Sequence, residues 1–288
     1  MEYQKPPLTY EAQLDLLISR GLQVANRHTA LVYLKNISYY RLSAYYFPFK
    51  HSEEFKSNTC FEDIIHLYTF DRKLRLLVMD AIEPIEIALR SQVIYHLSHT
   101  YGAFGYLNAK NFSHRFKHHE WLAHLDQLIA DATETFILHY KNKYISSTHM
   151  PLWMALEVVS FGGLSRLFRG LVGADQQIIS KQYDLQDTVL SSWLHMLVYV
   201  RNLCAHHARL WNRTLTFKPK LPEKSAAWKD VSNTRIYSVL AMIQYLLRQI
   251  NPQSTWRQRL ISLLNDYPQI SVSVMGFPDS WQESSIWV

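Results

Sequence analysis

Cysteine is nearly missing: Cys60 and Cys204 are the only two in 288 residues. Two cysteines cannot staple a small secreted scaffold, and a reducing, cytoplasmic setting is expected. Glycine is scarce at 8, and proline stands at 10. A turn-dense β-sandwich or barrel needs more of both, which excludes that class. No apolar run approaches the roughly 18 residues of a membrane span. The polar start, MEYQKPPLTY, lacks the apolar stretch of a signal peptide. Neither membrane insertion nor secretion is expected. Several catalytic signatures are also missing. FGGLSR is not followed by the Lys of a phosphate loop, no HExxH or Cys pair is present, and no GxSxG elbow occurs.

What the chain does have is apolar mass on a helical period. Hydrophobic residues make up 48% and aromatics 14%, enough for a sizeable core. Thr9 precedes YEAQLDLLISRG with a capping hydroxyl, and Gly21 is a stop. Asn26 to Phe47 reads as one or two helices. Thr59 and Glu62 have the form of a capping box. Pro84 kinks the helix that follows or opens the next. The His-rich run HRFKHHEWLAHLDQLIADATETFILHY reads as one long helix, and PLWMALEVVSFGGLSRLFRGL as two, broken at Gly162 and Gly163. Asp187 can cap a helix running on to Trp211. The expectation is one all-α domain over 1–288, a helical bundle with additional N-terminal helices. Its parts are an N-terminal helical portion at 1–50, a helical core at 51–266 and an irregular tail at 267–288.

Charge is segregated. The net charge of +6 hides a stretch, Arg201 to Leu260, with eleven Lys or Arg against two acids. Residues 1–200 balance, and 261–288 carry acids only. A concentrated positive surface suits a polyanion, with nucleic acid the leading partner.

The positive stretch opens with VYVRNLCAHHARLWNR, Val198 to Arg213. On a helix at ~100° per residue, Leu190, Trp193, Leu197, Val200 and Cys204 share one arc, a core face. His195, Asn202, His206, Arg209 and Arg213 fall on the opposite side. His207 lands at the edge of the core face, pointing toward packing. Arg201 lies off the polar stripe, within reach of a long side chain. Arg, Asn and His can together cut RNA without a metal. A neutral His exchanges protons near pH 7, an Arg holds the charge of a pentacoordinate phosphorus, and the RNA supplies its own 2′-hydroxyl. No cofactor is required. Arg209, Arg213, Lys218 and Lys220 are candidate RNA contacts.

RNLCAHHARLWNR closely resembles the signature of the Abi-like family of bacterial abortive-infection proteins, the AbiD/AbiF type. Further stretches resemble that family's motifs in order: KPPLTYEAQLDLLISRGL, LKNISYYRLSAYYFPF, LYTFDRKLRLLVMDAIEPIEIALRSQVIYHLS, YGAFGY, PLWMALEVVSFGGLS and MGFP. The family belongs to the HEPN superfamily, helical domains whose R-x4-6-H motif forms a metal-independent ribonuclease site. The resemblance makes Arg201 and His206 the motif pair, with Asn202 between them. It also implies a homodimer with a composite site and, for some members, neutralisation by a small non-coding RNA. AHH leaves His207 at the alternative R-x5-H spacing, and the helical phase favours His206.

Other candidates weigh less. Arg90 to His96 also fits R-x5-H, but Glu86 and Arg90 have the spacing of an intrahelical ion pair; with His207 they could support the main site. His114, His118, His119 and His124 lack the partners of a metal site, so no metal is expected. The tyrosines of ISYYRLSAYYF could stack on bases, although such a stripe more often packs in a core. Two other functions stay open: an RNA-binding regulator that does not cut, and an interaction scaffold within a defence complex.

Overall fold

Side chains that can finish a first turn decide where the helices begin. In the computed structural model, which describes residues 4, 6–222 and 224–288, the Thr9 hydroxyl accepts the Ala12 N–H at 3.2 Å and opens α1 (Tyr10–Ser19). Residues 1–3 and 5, at the head of the expected N-terminal portion, and residue 223 lie outside the described residues. Gly21, with φ +91°, ends the turn after α1 as its left-handed backbone allows. Asn26 caps α2 (Arg27–Ile37) and Ser38 caps α3 (Tyr39–Ser43). A small hairpin follows, β1 (Lys50–His51) against β2 (Glu54–Phe55).

The long α4 (Phe61–Tyr101) begins one residue later than the expected box. Asp63, not Glu62, reaches back to accept the Cys60 N–H at 2.9 Å. Pro84 lies inside this helix without ending it. The His-rich run is two helices, α5 (His118–Asp131) and α6 (Thr135–Lys143), because Ala132 and Glu134 are extended. Each half buries its own apolar pair, Trp121 with Leu125 and Ile137 with Tyr140. After α7 (Leu152–Ala155), the expected break at Gly162–Gly163 falls instead at Ser160. Its hydroxyl accepts the Gly163 N–H and starts α8 (Phe161–Gly170). Four more helices follow: α9 (Gly173–Lys181), α10 (Asp187–Ala205), α11 (Ile236–Ile250) and α12 (Trp256–Asn265). The protein is all-α, 63% helical with twelve helices among the described residues. Among those residues, no helix is long and apolar enough to cross a membrane.

The chain divides into two compact units, with one boundary inside α4 after Arg75. Unit 1 comprises Met1–Arg75 and Ile261–Ser271. α1 packs on α2, and Leu14, Leu17, Leu34, Leu42 and Phe70 are buried. Its buried charge is matched. Asp71, fully buried, accepts from Arg75 at 2.5 Å and from the Tyr45 hydroxyl at 2.7 Å. Burial, with Asp71 next to it, keeps the Tyr45 phenol protonated well above the ordinary tyrosine range.

Unit 2 comprises Leu76–Leu260 and Val272–Val288. α10 is packed by α8, α9 and α11. α11 is buried from Ile236 to Gln244 without interruption. The end of the chain is irregular apart from two 3₁₀ turns, but it is not loose: Trp281, Ile286 and Trp287 are buried, and the Trp287 ring stacks on Tyr237 and Trp256.

Candidate functional site

α10 buries the arc of residues that its period marks out. Leu190, Trp193, Met196, Leu197, Val200 and Cys204 are all buried. The helix then stops at Ala205, six residues before the expected end at Trp211. Two reverse hydrogen bonds close it: His207 N–H donates to Cys204 O at 3.0 Å, and Ala208 N–H to Leu203 O at 2.9 Å. This closure requires a left-handed residue, usually Gly. Here His207 takes it, at φ +56°.

The early stop corrects three expectations. Arg209 and Arg213 do not continue the polar stripe, because no helix carries the phase past His206. They belong to a turn in which Arg213 Nε donates to Arg209 O at 3.1 Å, while Leu210 and Trp211 are buried. His207 is exposed instead of packed, since the left-handed residue turns out of the helical phase. The adjacent histidines are therefore both open to solvent, on different backbone geometries.

Up to His206 the phase still holds. His206 N–H donates to Asn202 O at 3.0 Å, one turn back, and both residues are exposed. Arg201 is half-buried, and its Nη1 donates to Asn202 Oδ1 at 3.2 Å. The guanidinium thus leans toward the Asn202 side. That partner is neutral, and Arg201 forms no salt bridge among the described residues.

The chain after the helix folds back along it as a strap. The Tyr199 hydroxyl meets Thr216 Oγ1 at 2.8 Å, and the Phe217 ring lies 4.5 Å from the His195 ring. Farther back, Trp193 Nε1 donates to Lys220 O at 2.7 Å and Lys220 N–H to Ser192 Oγ at 2.9 Å. Lys220 therefore sits beside Ser192, about 21 Å along the helix from His206 at ~1.5 Å per residue. Lys218, Lys220 and Lys224 line a cavity of about 750 Å³ with Gln186, Thr188 and Asn233, beside the first turn of α10. The four expected RNA contacts thus form two groups, Arg209 and Arg213 near His206, and Lys218 and Lys220 at the other end.

Desolvation holds the His195 imidazole below the ordinary histidine range, and the nearby Arg169 adds to the effect. Arg169 was not marked by its sequence context. An exposed i, i+3 pair with Arg166 on amphipathic α8 was its one signal. Phe217 gave none, because its place over His195 is tertiary.

The remaining candidates are engaged elsewhere. Arg90 Nη2 pairs with Glu86 at 2.7 Å, and Nη1 donates to Leu156 O. His96 Nε2 contacts Asp175 at 2.7 Å, and the Tyr101 hydroxyl donates to the other oxygen of that carboxylate at 2.9 Å. His118 is buried, with Nε2 at 2.8 Å from Tyr106 O. Among the described residues no three His, Cys, Asp or Glu side chains gather where they could hold a metal ion.

No curated protein and no solved structure matches the chain. A model of the family described as Abi-like protein matches residues 32–212, more than half of the chain and a span that ends just past the α10 closure. The match takes in four of the six further stretches, from LKNISYYRLSAYYFPF to PLWMALEVVSFGGLS, as well as the Arg–Asn–His end of α10, and the chain belongs to the Abi-like family, whose name denotes abortive infection of phage-attacked bacteria.

Proposed function

We propose that this protein is a phage-defence endoribonuclease of HEPN type that works without a metal. The observation that carries the reading is the α10 terminus: an exposed His206 one turn from Asn202, with the Arg201 guanidinium turned onto the Asn202 amide and in no salt bridge among the described residues. In the reaction, the RNA 2′-oxygen attacks the adjacent phosphorus as the bond to the 5′-oxygen breaks. His206 exchanges a proton with one of these oxygens, a task suited to imidazole near neutral pH. Arg201 holds the non-bridging oxygens as negative charge builds on them. Asn202 orients Arg201. One imidazole serves one proton transfer at a time, which favours two copies of the motif meeting in a homodimer.

Two cation groups separated along α10 suit a strand longer than the cut site. We infer that a small non-coding RNA lies over Arg209 and Arg213 and extends toward Lys218 and Lys220, restraining the enzyme in the cytoplasm. The same separation supports a second reading, a regulator that binds RNA without cutting. Incubating purified protein with single-stranded RNA in EDTA separates the two. Cleavage should persist and leave 2′,3′-cyclic phosphate and 5′-hydroxyl ends. A strict Mg²⁺ requirement, or 5′-phosphate products, would overturn the mechanism. Intact RNA that is bound, with affinity falling steeply as salt rises, would favour the regulator.

A further inference from the structure

Unit 1 carries its own cluster of cations and rings. The hairpin pairs Lys50 with Phe55, and Phe55 N–H donates to Arg20 O at 2.8 Å. That bond fastens the hairpin to the end of α1 and brings Lys50 beside Arg20. Both side chains are sheltered, 15% and 27% exposed. Among the described residues a single carboxylate answers them: Glu53, 75% exposed, lies 3.1 Å from Arg20 and 4.0 Å from Lys50. Burial, and then the neighbouring Arg20, lowers the Lys50 ammonium from its ordinary range, while Glu53 opposes the shift.

These cations open on a cavity of about 680 Å³ that Tyr39, Tyr46, Phe47 and Lys56 also line. Two aromatic features there are unusual. Tyr46 is 3% exposed, and its hydroxyl is closed to solvent with no hydrogen-bond partner among the described residues. Phe47 is the reverse, a large apolar ring left 76% exposed at the same cavity. Sheltered cations beside an open ring match the two halves of a nucleotide, a phosphate and a base that stacks.

We propose that this cavity binds a phosphorylated nucleoside. Arg20 and Lys50 take the phosphate in place of Glu53, and Phe47 stacks on the base. The nucleotide is either free or one unit of a single-stranded RNA. The site does not depend on whether the end of α10 cuts RNA.

The test uses the full chain carrying Arg201→Ala and His206→Ala, so that no probe is consumed. Adenosine 5′-monophosphate is titrated by calorimetry, and a short fluorescein-labelled single-stranded RNA by anisotropy. Phe47→Ala and Lys50→Gln are then added one at a time, with thermal melts to confirm folding and Lys50→Arg as the rescue. Phe47→Ala should weaken binding about fivefold or more, the scale of losing one stacked base. Lys50→Gln should weaken it too and, for the RNA, reduce the logarithmic salt slope by about 0.7. Binding of the monophosphate identifies a free nucleotide, and binding of the oligomer alone identifies a strand. The proposal is overturned if neither probe binds, or if either substitution leaves binding within twofold in a folded protein.

Discussion

Arg75 and Arg201 show how differently two regions of this chain use one side chain. Arg75, in unit 1, is 5% exposed and held by the Asp71 carboxylate at 2.5 Å and the Tyr45 hydroxyl at 3.1 Å. Arg201, at the end of α10, is half-exposed, donates to a neutral amide and forms no salt bridge among the described residues. A buried guanidinium must be matched or its desolvation is uncompensated. One at the surface needs no such partner, and the proposed reaction uses its charge to hold a phosphate. The difference separates arginine that holds the fold from arginine available for chemistry.

Breaking the buried pair should have the largest effect on stability. Asp71→Ala leaves Arg75 charged and without its carboxylate, and should cost about 3–5 kcal/mol. Arg201→Ala should change stability by less than ~0.5 kcal/mol. Chemical denaturation of both variants measures the contrast, and equal losses would erase it.

A smaller change, of opposite sign, is expected at the closure of α10. His207 occupies a left-handed backbone that glycine adopts freely. His207→Gly should therefore raise stability by about 1 kcal/mol while RNA cleavage continues. A loss of stability would mean that the contacts of His207 outweigh its backbone cost.

The smallest effect belongs to His195. Its folded state disfavours the imidazolium, first through desolvation and then through Arg169. The stability this contributes is present above the ordinary histidine range, near 6.5, and is lost as pH falls below it. Melting temperatures recorded between about pH 7.5 and 5 should drop less for Arg169→Gln than for the parent. An unchanged slope would remove Arg169 from the account.

How much of this was legible in the sequence followed from how local each signal was. The cap at Thr9 and the stop at Gly21 need only a few neighbouring residues, and both are where the sequence puts them. The buried arc of α10 followed from its period, because one face packs against α8, α9 and α11. The end of that helix did not. Its left-handed position holds a histidine where a glycine would have announced the turn, so the helical period was carried too far and His207 was placed at the edge of the core face. The strap was illegible for another reason. Nothing local in residues 212–222 shows that Trp193 will hold Lys220, or that Phe217 will cover His195. Charge composition located the basic segment but not its division between the two ends of α10.

The central claim is that Arg201 and His206 act on RNA at the end of α10. The most direct test compares the rate at which wild type, His206→Ala and His207→Ala cut single-stranded RNA in EDTA. Loss of the proton-transfer group should slow His206→Ala by at least about 10²-fold, with an unchanged melting temperature, while His207→Ala keeps cutting. A folded His206→Ala protein that cuts at the wild-type rate would contradict the account.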